Sequence, residues 1–149
     1  MNVKQYLKTT KEIPLKKETL IHLILIHNRI KEAVSEVLKP FDISIQQYNV
    51  LRILRGQNKK PANLSTINER MVSKMSNTTR LVDKLISKGL VDRSVCPTNR
   101  RKVEILITND GLDALAKMDE AVDGAEDFLT GDFNDNELKT LNALLNKFK

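Results

Sequence analysis

Four consecutive residues, Asn99-Arg100-Arg101-Lys102, put three cations side by side in a polar stretch opened by Pro97. Such a run repels itself unless counter-charges are near. Against a polyanion it meets phosphates and releases their condensed counterions. An arginine at a narrow loop tip also suits a minor groove, where the negative potential is strongest. Arg101 is the choice for that insertion, with Arg100 and Lys102 on phosphate and Asn99 opening the tip. About twenty residues upstream, Ser73, Ser76, Asn77, Arg80 and Lys84 mix short hydrogen-bonding side chains with two cations. That chemistry fits the major-groove edges of double-stranded DNA: Arg to guanine, Asn to adenine, Ser to either. Ser65 and Thr66, at the start of the preceding element, are placed to meet phosphate.

Side chains at these spacings act together only if a helix presents them. Apolar spacing predicts a helix over 74–88, closed by Gly89. At about 100° per residue, Met75, Thr78, Val82, Leu85 and Ile86 share one face, and Ser76, Arg80, Asp83 and Ser87 share the opposite one, with Ser73 and Lys84 beside them. A shorter helix over 65–71, started by Ser65 or Thr66 with Thr66 and Glu69 as a capping box, precedes it across a break at 71–73. Short helix, tight turn and longer helix make a helix-turn-helix. Two strands follow, 90–96 and 103–107, with 97–102 as the turn between them. A hairpin directly after a helix-turn-helix is a winged helix.

The remaining elements frame this lobe. A helix over 15–39 ends at Pro40. Its stretch Leu20–Ile26 is apolar on more than one side, which implies a second contact surface beyond a core. A helix over 44–55 begins with a Ser44–Gln47 capping box and ends at Gly56. Thr108 caps a helix over 109–129, and Asn134 with Glu137 caps a last one over 135–148. The expected fold is therefore mainly α with a small β-hairpin wing. One chain, 1–149, carries a winged helix-turn-helix lobe over about 42–108. A helical region over 15–39 and 109–149 carries the surplus apolar surface.

Bulk properties agree with this division. The 149 residues carry 25 Lys+Arg against 19 Asp+Glu, a net +6. Residues 52–102 hold 13 Lys+Arg against 3 Asp+Glu (net +10), and 103–149 hold 4 against 11 (net −7). A basic middle beside an acidic tail separates a nucleic-acid surface from a scaffold that does not touch it. One cysteine, Cys96, allows no internal disulfide and points to a reducing cytoplasm. No signal peptide or membrane span is read at the N-terminus or elsewhere.

Enzyme chemistry finds little support. His22 and His27, five apart on a helix, face about 140° from each other and make poor metal partners. The sequence has no glycine-rich phosphate loop and no nucleophile elbow. The run Asp119-Glu120, Asp123, Glu126-Asp127 reads as a solvated helix face. No catalytic residue, metal or cofactor is expected.

Several of these stretches carry a resemblance: Ile67-Asn68-Glu69-Arg70-Met71, Thr79-Arg80-Leu81-Val82-Asp83-Lys84-Leu85, Lys88-Gly89-Leu90-Val91-Asp92-Arg93, Asn99-Arg100-Arg101-Lys102-Val103, and Ile107-Thr108-Asn109-Asp110-Gly111. Together they resemble the MarR family of bacterial regulators, over about residues 15–148. The resemblance implies a homodimer paired through its first and last helices, here through Leu20, Leu23 and Ile24 with Leu138, Leu141 and Leu145. It also implies pseudo-palindromic operators, usually repression, and release by a small, often aromatic, anionic effector. The family's wing usually reads Asp-x-Arg; Asn99 stands in place of that Asp and cannot form its ion pair. Two other readings stand beside this one. One is a winged-helix interaction module that does not read DNA. The other is a redox-sensing regulator that uses Cys96, whose thiol nearby arginines would acidify.

Overall fold

Ser44 sets the start of one helix by local chemistry alone. Its hydroxyl accepts from the Gln47 backbone N–H at 3.2 Å, and the Gln47 side chain accepts from the Ser44 N–H at 2.9 Å. The result is α3, Ile45–Arg55. The computed structural model describes residues 2–72, 77–96 and 99–149, with backbone only at 96 and 99–102. Its elements are α1 (Val3–Tyr6), α2 (Leu15–Leu38), a 3-10 turn (Lys39–Phe41), α3, α4 (Leu64–Arg70), α5 (Thr78–Ser87), β1 (Val91–Cys96), β2 (Asn99–Ile107), α6 (Asn109–Thr130) and α7 (Asp135–Leu145). The fold is mainly helical with one two-stranded antiparallel hairpin, as the sequence leads one to expect.

The chain divides into two units. One joins 1–34 with 125–149; the other is 35–124. In the second unit Leu51, Ile67, Val82, Leu85, Val91, Ile105, Leu115 and Met118 are fully or almost fully buried. These come from α3, α4, α5, the hairpin and α6, so the winged helix has a core of its own. The pattern read for α5 holds: Thr78, Val82 and Leu85 are buried while Arg80, Asp83, Lys84 and Ser87 are exposed.

Two junctions fix the hairpin to α5. Gly89 takes φ +71, its N–H donates to the Ile86 carbonyl at 2.9 Å, and the Leu90 N–H donates to the Leu85 carbonyl at 3.1 Å. This is the paired hydrogen-bond pattern of a glycine-terminated helix. At the far end of the hairpin, the Thr108 hydroxyl donates to the Gly89 carbonyl at 2.8 Å and accepts from the Gly111 N–H at 2.9 Å. Thr108 thus caps α6 and ties it to the end of α5. Ala62 adds a third short strand position, exchanging both backbone hydrogen bonds with Ile105 at 3.0 and 2.8 Å.

Several expectations need correction. α4 is started by Asn63, whose side chain accepts from the Thr66 N–H at 2.8 Å. Neither Ser65 nor Thr66 is the cap, and Thr66 with Glu69 forms no capping box; Glu69 instead accepts from the Ser65 hydroxyl at 3.0 Å. α5 begins at Thr78, not 74, with Asn77 in a non-helical conformation before it. α7 ends at Leu145, so Phe148 lies beyond it. The strand β2 begins at Asn99, so the cationic run belongs to a strand and not to the turn. α1 had no sequence signal and forms around the Asn2 cap and the buried Val3.

Candidate nucleic-acid interface

The helix-turn-helix is locked by a polar contact inside it. The Thr78 hydroxyl, at the buried start of α5, donates to the Asn68 side chain of α4 at 3.1 Å. That bond and the apolar face of α5 leave Arg80 and Lys84, four residues apart, on the same exposed side. Residues one helical turn apart lie as neighbours on one stripe, so α5 presents two cations in a line. Asn77 is exposed immediately before the helix. Ser73 and Ser76 lie outside the described residues, and so does the Met75 assigned to the core face.

Asp83 also faces outward from α5, and a carboxylate there would oppose a phosphate. Arg93 of β1 answers it, with Nη1 3.0 Å from Oδ1. The pair neutralises the acid and fastens the first wing strand to α5. Lys88 at the end of α5 pairs with Asp42, which sits in a left-handed conformation after the 3-10 turn. The hydrogen bond from Lys88 holds the Asp42 carboxyl below the usual carboxylate range. Both pairs join residues distant in sequence, and no local pattern announces them.

The wing places its cations by register. Val95 stands opposite Val103, but Cys96 stands opposite Asn99. The ladder therefore jumps, and Arg100, Arg101 and Lys102 fall between the two pairings as extra residues of β2. Extra residues bend a strand and turn it out of regular pairing. The side chains of Asn99, Arg100, Arg101 and Lys102, with the Cys96 thiol, lie outside the described residues. On α4, the Ser65 and Thr66 hydroxyls donate to Glu69 and Asn63, at 3.0 and 3.1 Å. A phosphate would have to draw these donors away from internal acceptors.

Behind the interface, a polar strap joins α3 to α6. The Tyr48 hydroxyl donates to Asp119 Oδ1 at 2.7 Å, Arg55 pairs with Asp119 Oδ2, and the Arg52 guanidinium lies 5.6 Å from the centre of the Tyr48 ring. Asp119 is therefore not a solvated surface acid, as its run suggested, but a half-buried acceptor. Burial alone would raise its pKa; hydrogen bonds from Arg55 and Tyr48 outweigh that and hold it below the ordinary value. Burial, then the hydrogen bond to Asp119, push Tyr48 up to about 12.

In the unit formed by 1–34 and 125–149, Leu20, Ile24, Leu141 and Leu145 are exposed, while Leu23 and Leu138 are partly exposed. Among the described residues there is no cluster of His, Cys, Asp and Glu able to hold a metal ion.

Comparison with known proteins matches this geometry. The model of the MarR family matches residues 43–103, the lobe from α3 into β2. The HTH-type transcriptional repressor IacR of Pseudomonas putida is 29% identical over 98 residues, 66% of this chain and 58% of its own length. This chain spans less than three-fifths of the first curated relatives it matches. Solved structures match more fully. A MarR transcription factor from Planctomyces limnophilus is 32% identical, with 91% of this chain and 98% of that one covered and a TM-score of 0.71. A mutant MarR from E. coli complexed with operator DNA is 26% identical, with 99% and 98% covered and a TM-score of 0.74. Because the Planctomyces limnophilus relative is 32% identical and covered over 98% of its length, and α4, α5 and the hairpin stand in the expected order, the chain belongs to the MarR family.

Proposed function

We propose that the protein is a sequence-specific, DNA-binding transcriptional regulator that acts as a homodimer on pseudo-palindromic operators. The observation that carries this reading is α5: its inner face is buried, and Arg80 and Lys84 stand exposed in line on its outer face. Asn77, Ser73 and Ser76 at its approach complete the base-reading set. Asn99, Arg100, Arg101 and Lys102 on the wing reach the adjacent minor groove and backbone, and Ser65 and Thr66 reach phosphate. The structural relative bound to operator DNA supports this assignment. So does the repressor among the sequence relatives, which favours repression over activation.

Leu20, Leu23, Ile24, Leu138, Leu141 and Leu145 are assigned to the dimer interface, because their unit exposes apolar side chains that a second copy would cover. The regulator acts in the cytoplasm, without catalysis and without a cofactor, and a small aromatic or anionic effector releases it from DNA. No helix among the described residues is long and apolar enough to cross a membrane.

The test is binding by fluorescence anisotropy to duplexes selected by the protein from a random pool, compared with an unselected duplex across a salt series. Selected DNA should bind more tightly and keep part of that advantage as salt rises, because base contacts release no counterions. Arg80→Ala should lose about 1–3 kcal/mol on the selected duplex and much less on the unselected one. Equal losses on both would make Arg80 a phosphate contact. A pool that never enriches a motif would remove the regulator reading in favour of an interaction module.

A further inference from the structure

The antiparallel register of the hairpin assigns its side chains to two faces. Val91, Arg93 and Val95 of β1 alternate onto one face with Ile107, Ile105 and Val103, their partners on β2. The inner end of that face is core: Val91 and Ile105 are fully or almost fully buried. One step outward, Arg93 turns to α5 and pairs with Asp83, so this is the face that looks at the helix. One step further, roughly 7 Å along the strand, the cover ends. Val95 is 57% exposed, and Val103 beside it is only partly covered.

Strand formation does not ask for an apolar side chain at this place. Threonine has the same β-branch and the same preference for strands, and its hydroxyl would bond to water. Among the described residues of the hairpin, Val95 is the one large hydrophobic left exposed. Cations flank it on both sides. On α5, Arg80 and Lys84 are exposed; on β2, the Val95–Val103 pair is the last before the ladder jumps over Arg100, Arg101 and Lys102. An apolar pair between two groups of cations fits a polyanion whose chain carries apolar links between its charges.

We propose that Val95 and Val103 seat one deoxyribose of bound DNA and reject ribose at that nucleotide. The inference rests on the reading that places α5 in a major groove and the wing in the adjacent minor groove. A single sugar–phosphate backbone separates two such grooves, so it must cross the hairpin face between the helix and the wing tip. Its phosphates meet the cations, and the C2′ methylene of one sugar lies on the two valines. A 2′-hydroxyl on that sugar would be pressed against side chains that neither donate nor accept, and it would lose its water without gaining a partner. Phosphate contacts draw no such distinction, because the phosphate is the same in both nucleic acids.

The test walks a single ribonucleotide along each strand of a duplex selected by the full chain from a random pool, with binding read by fluorescence anisotropy. At one nucleotide in each half-site the ribonucleotide should weaken wild type about fivefold. That nucleotide should lie between the bases whose preference Arg80→Ala relaxes and the neighbouring minor groove. A 2′-fluoro nucleotide there, which adopts the ribose pucker without the hydroxyl, should stay within about twofold of deoxyribose. Val95→Thr keeps the β-branch and offers the 2′-hydroxyl a partner, so its ribose penalty should fall below about twofold while all-deoxy DNA still binds. No sensitive sugar, equal penalties from the ribo and 2′-fluoro nucleotides, or an undiminished penalty in Val95→Thr would each overturn the seat and leave DNA binding standing. Failure of the pool to enrich any duplex is a different result: it removes the regulator reading and this inference with it.

Discussion

Among the glycines, Gly111 and Gly124 put the same substitution in opposite physical settings. A Cβ built on Gly111 would lie 2.1 Å from the Leu90 carbonyl oxygen and 2.8 Å from Ile107 Cγ1. That carbonyl already accepts from the Thr108 N–H at 3.1 Å, so it cannot move without loosening the junction of α5, the hairpin and α6. Backbone against backbone has no cheap relaxation, and Gly111→Ala should lower stability by about 2–3 kcal/mol. A Cβ at Gly124, in the interior of α6, would meet nothing within 4 Å. Glycine inside a helix is less favourable than alanine by roughly 0.5–1 kcal/mol, so Gly124→Ala should stabilise by that amount. Urea unfolding of both variants at one protomer concentration checks the pair, since stability of an oligomer depends on concentration. Equal effects of the two would mean the Thr-x-x-Gly junction is softer than its contacts require. The motif Thr108-Asn109-Asp110-Gly111 was visible in the sequence; that its last residue must be glycine because of a carbonyl twenty-one positions upstream was not.

At the scale of elements, local chemistry was legible and partner-dependent chemistry was not. The Ser44–Gln47 and Asn134–Glu137 capping boxes form as their spacing dictates. The same spacing at Thr66–Glu69 misled, because Asn63 lies three residues before Thr66 and starts the helix earlier. The wing cations read as a turn because they are polar and follow Pro97, whereas strand membership depends on what the opposite strand offers. Least legible was the strap of Tyr48, Arg55 and Asp119, whose members lie 64 and 71 residues apart. Its chemistry gives a pH signature. The folded-state pKa of Asp119 is depressed, so its contribution is fully present above the unfolded value near 4 and is lost as pH falls through the lower folded one. Tyr48 is raised to about 12 from 10; its contribution is present below pH 10 and lost between 10 and about 12. Asp119→Asn should therefore cost about 1–2 kcal/mol at pH 7, less than a fully buried charged hydrogen bond because Arg55 is partly solvated. It should also flatten the acid limb of the stability profile, and Tyr48→Phe the alkaline limb. Chemical denaturation from pH 3 to 11 measures both, and an Asp119→Asn profile parallel to wild type would place the acid sensitivity elsewhere.

For the whole molecule, the distribution of exposed apolar side chains is decisive. Of the fifteen exposed large hydrophobic residues among the described ones, only Val72 and Val95 belong to the unit 35–124. The others, among them Leu15, Ile24, Phe128 and Leu144, lie in 1–34 and 125–149. Scattered exposed leucines need no explanation, but concentration in one unit marks an interaction surface. A two-fold interface uses the same patch on both copies, so every substitution there acts twice. Ile24 is 59% exposed and its neighbour Leu25 only 9%, so outward-facing and core positions fall on adjacent residues. Ile24→Glu combined with Leu141→Glu should therefore leave the winged helix folded and yield a monomer in sedimentation. Such a monomer carries one recognition helix and one wing, and it neutralises half as many phosphates. The slope of log K against log salt is about −0.9 per phosphate neutralised, so it should fall to roughly half that of wild type, and preference for a two-half-site duplex over a single half-site should vanish. A double variant that still sediments as a dimer would move the interface off α2 and α7. A monomer that keeps the full salt slope would mean that one lobe alone covers the phosphates assigned to two.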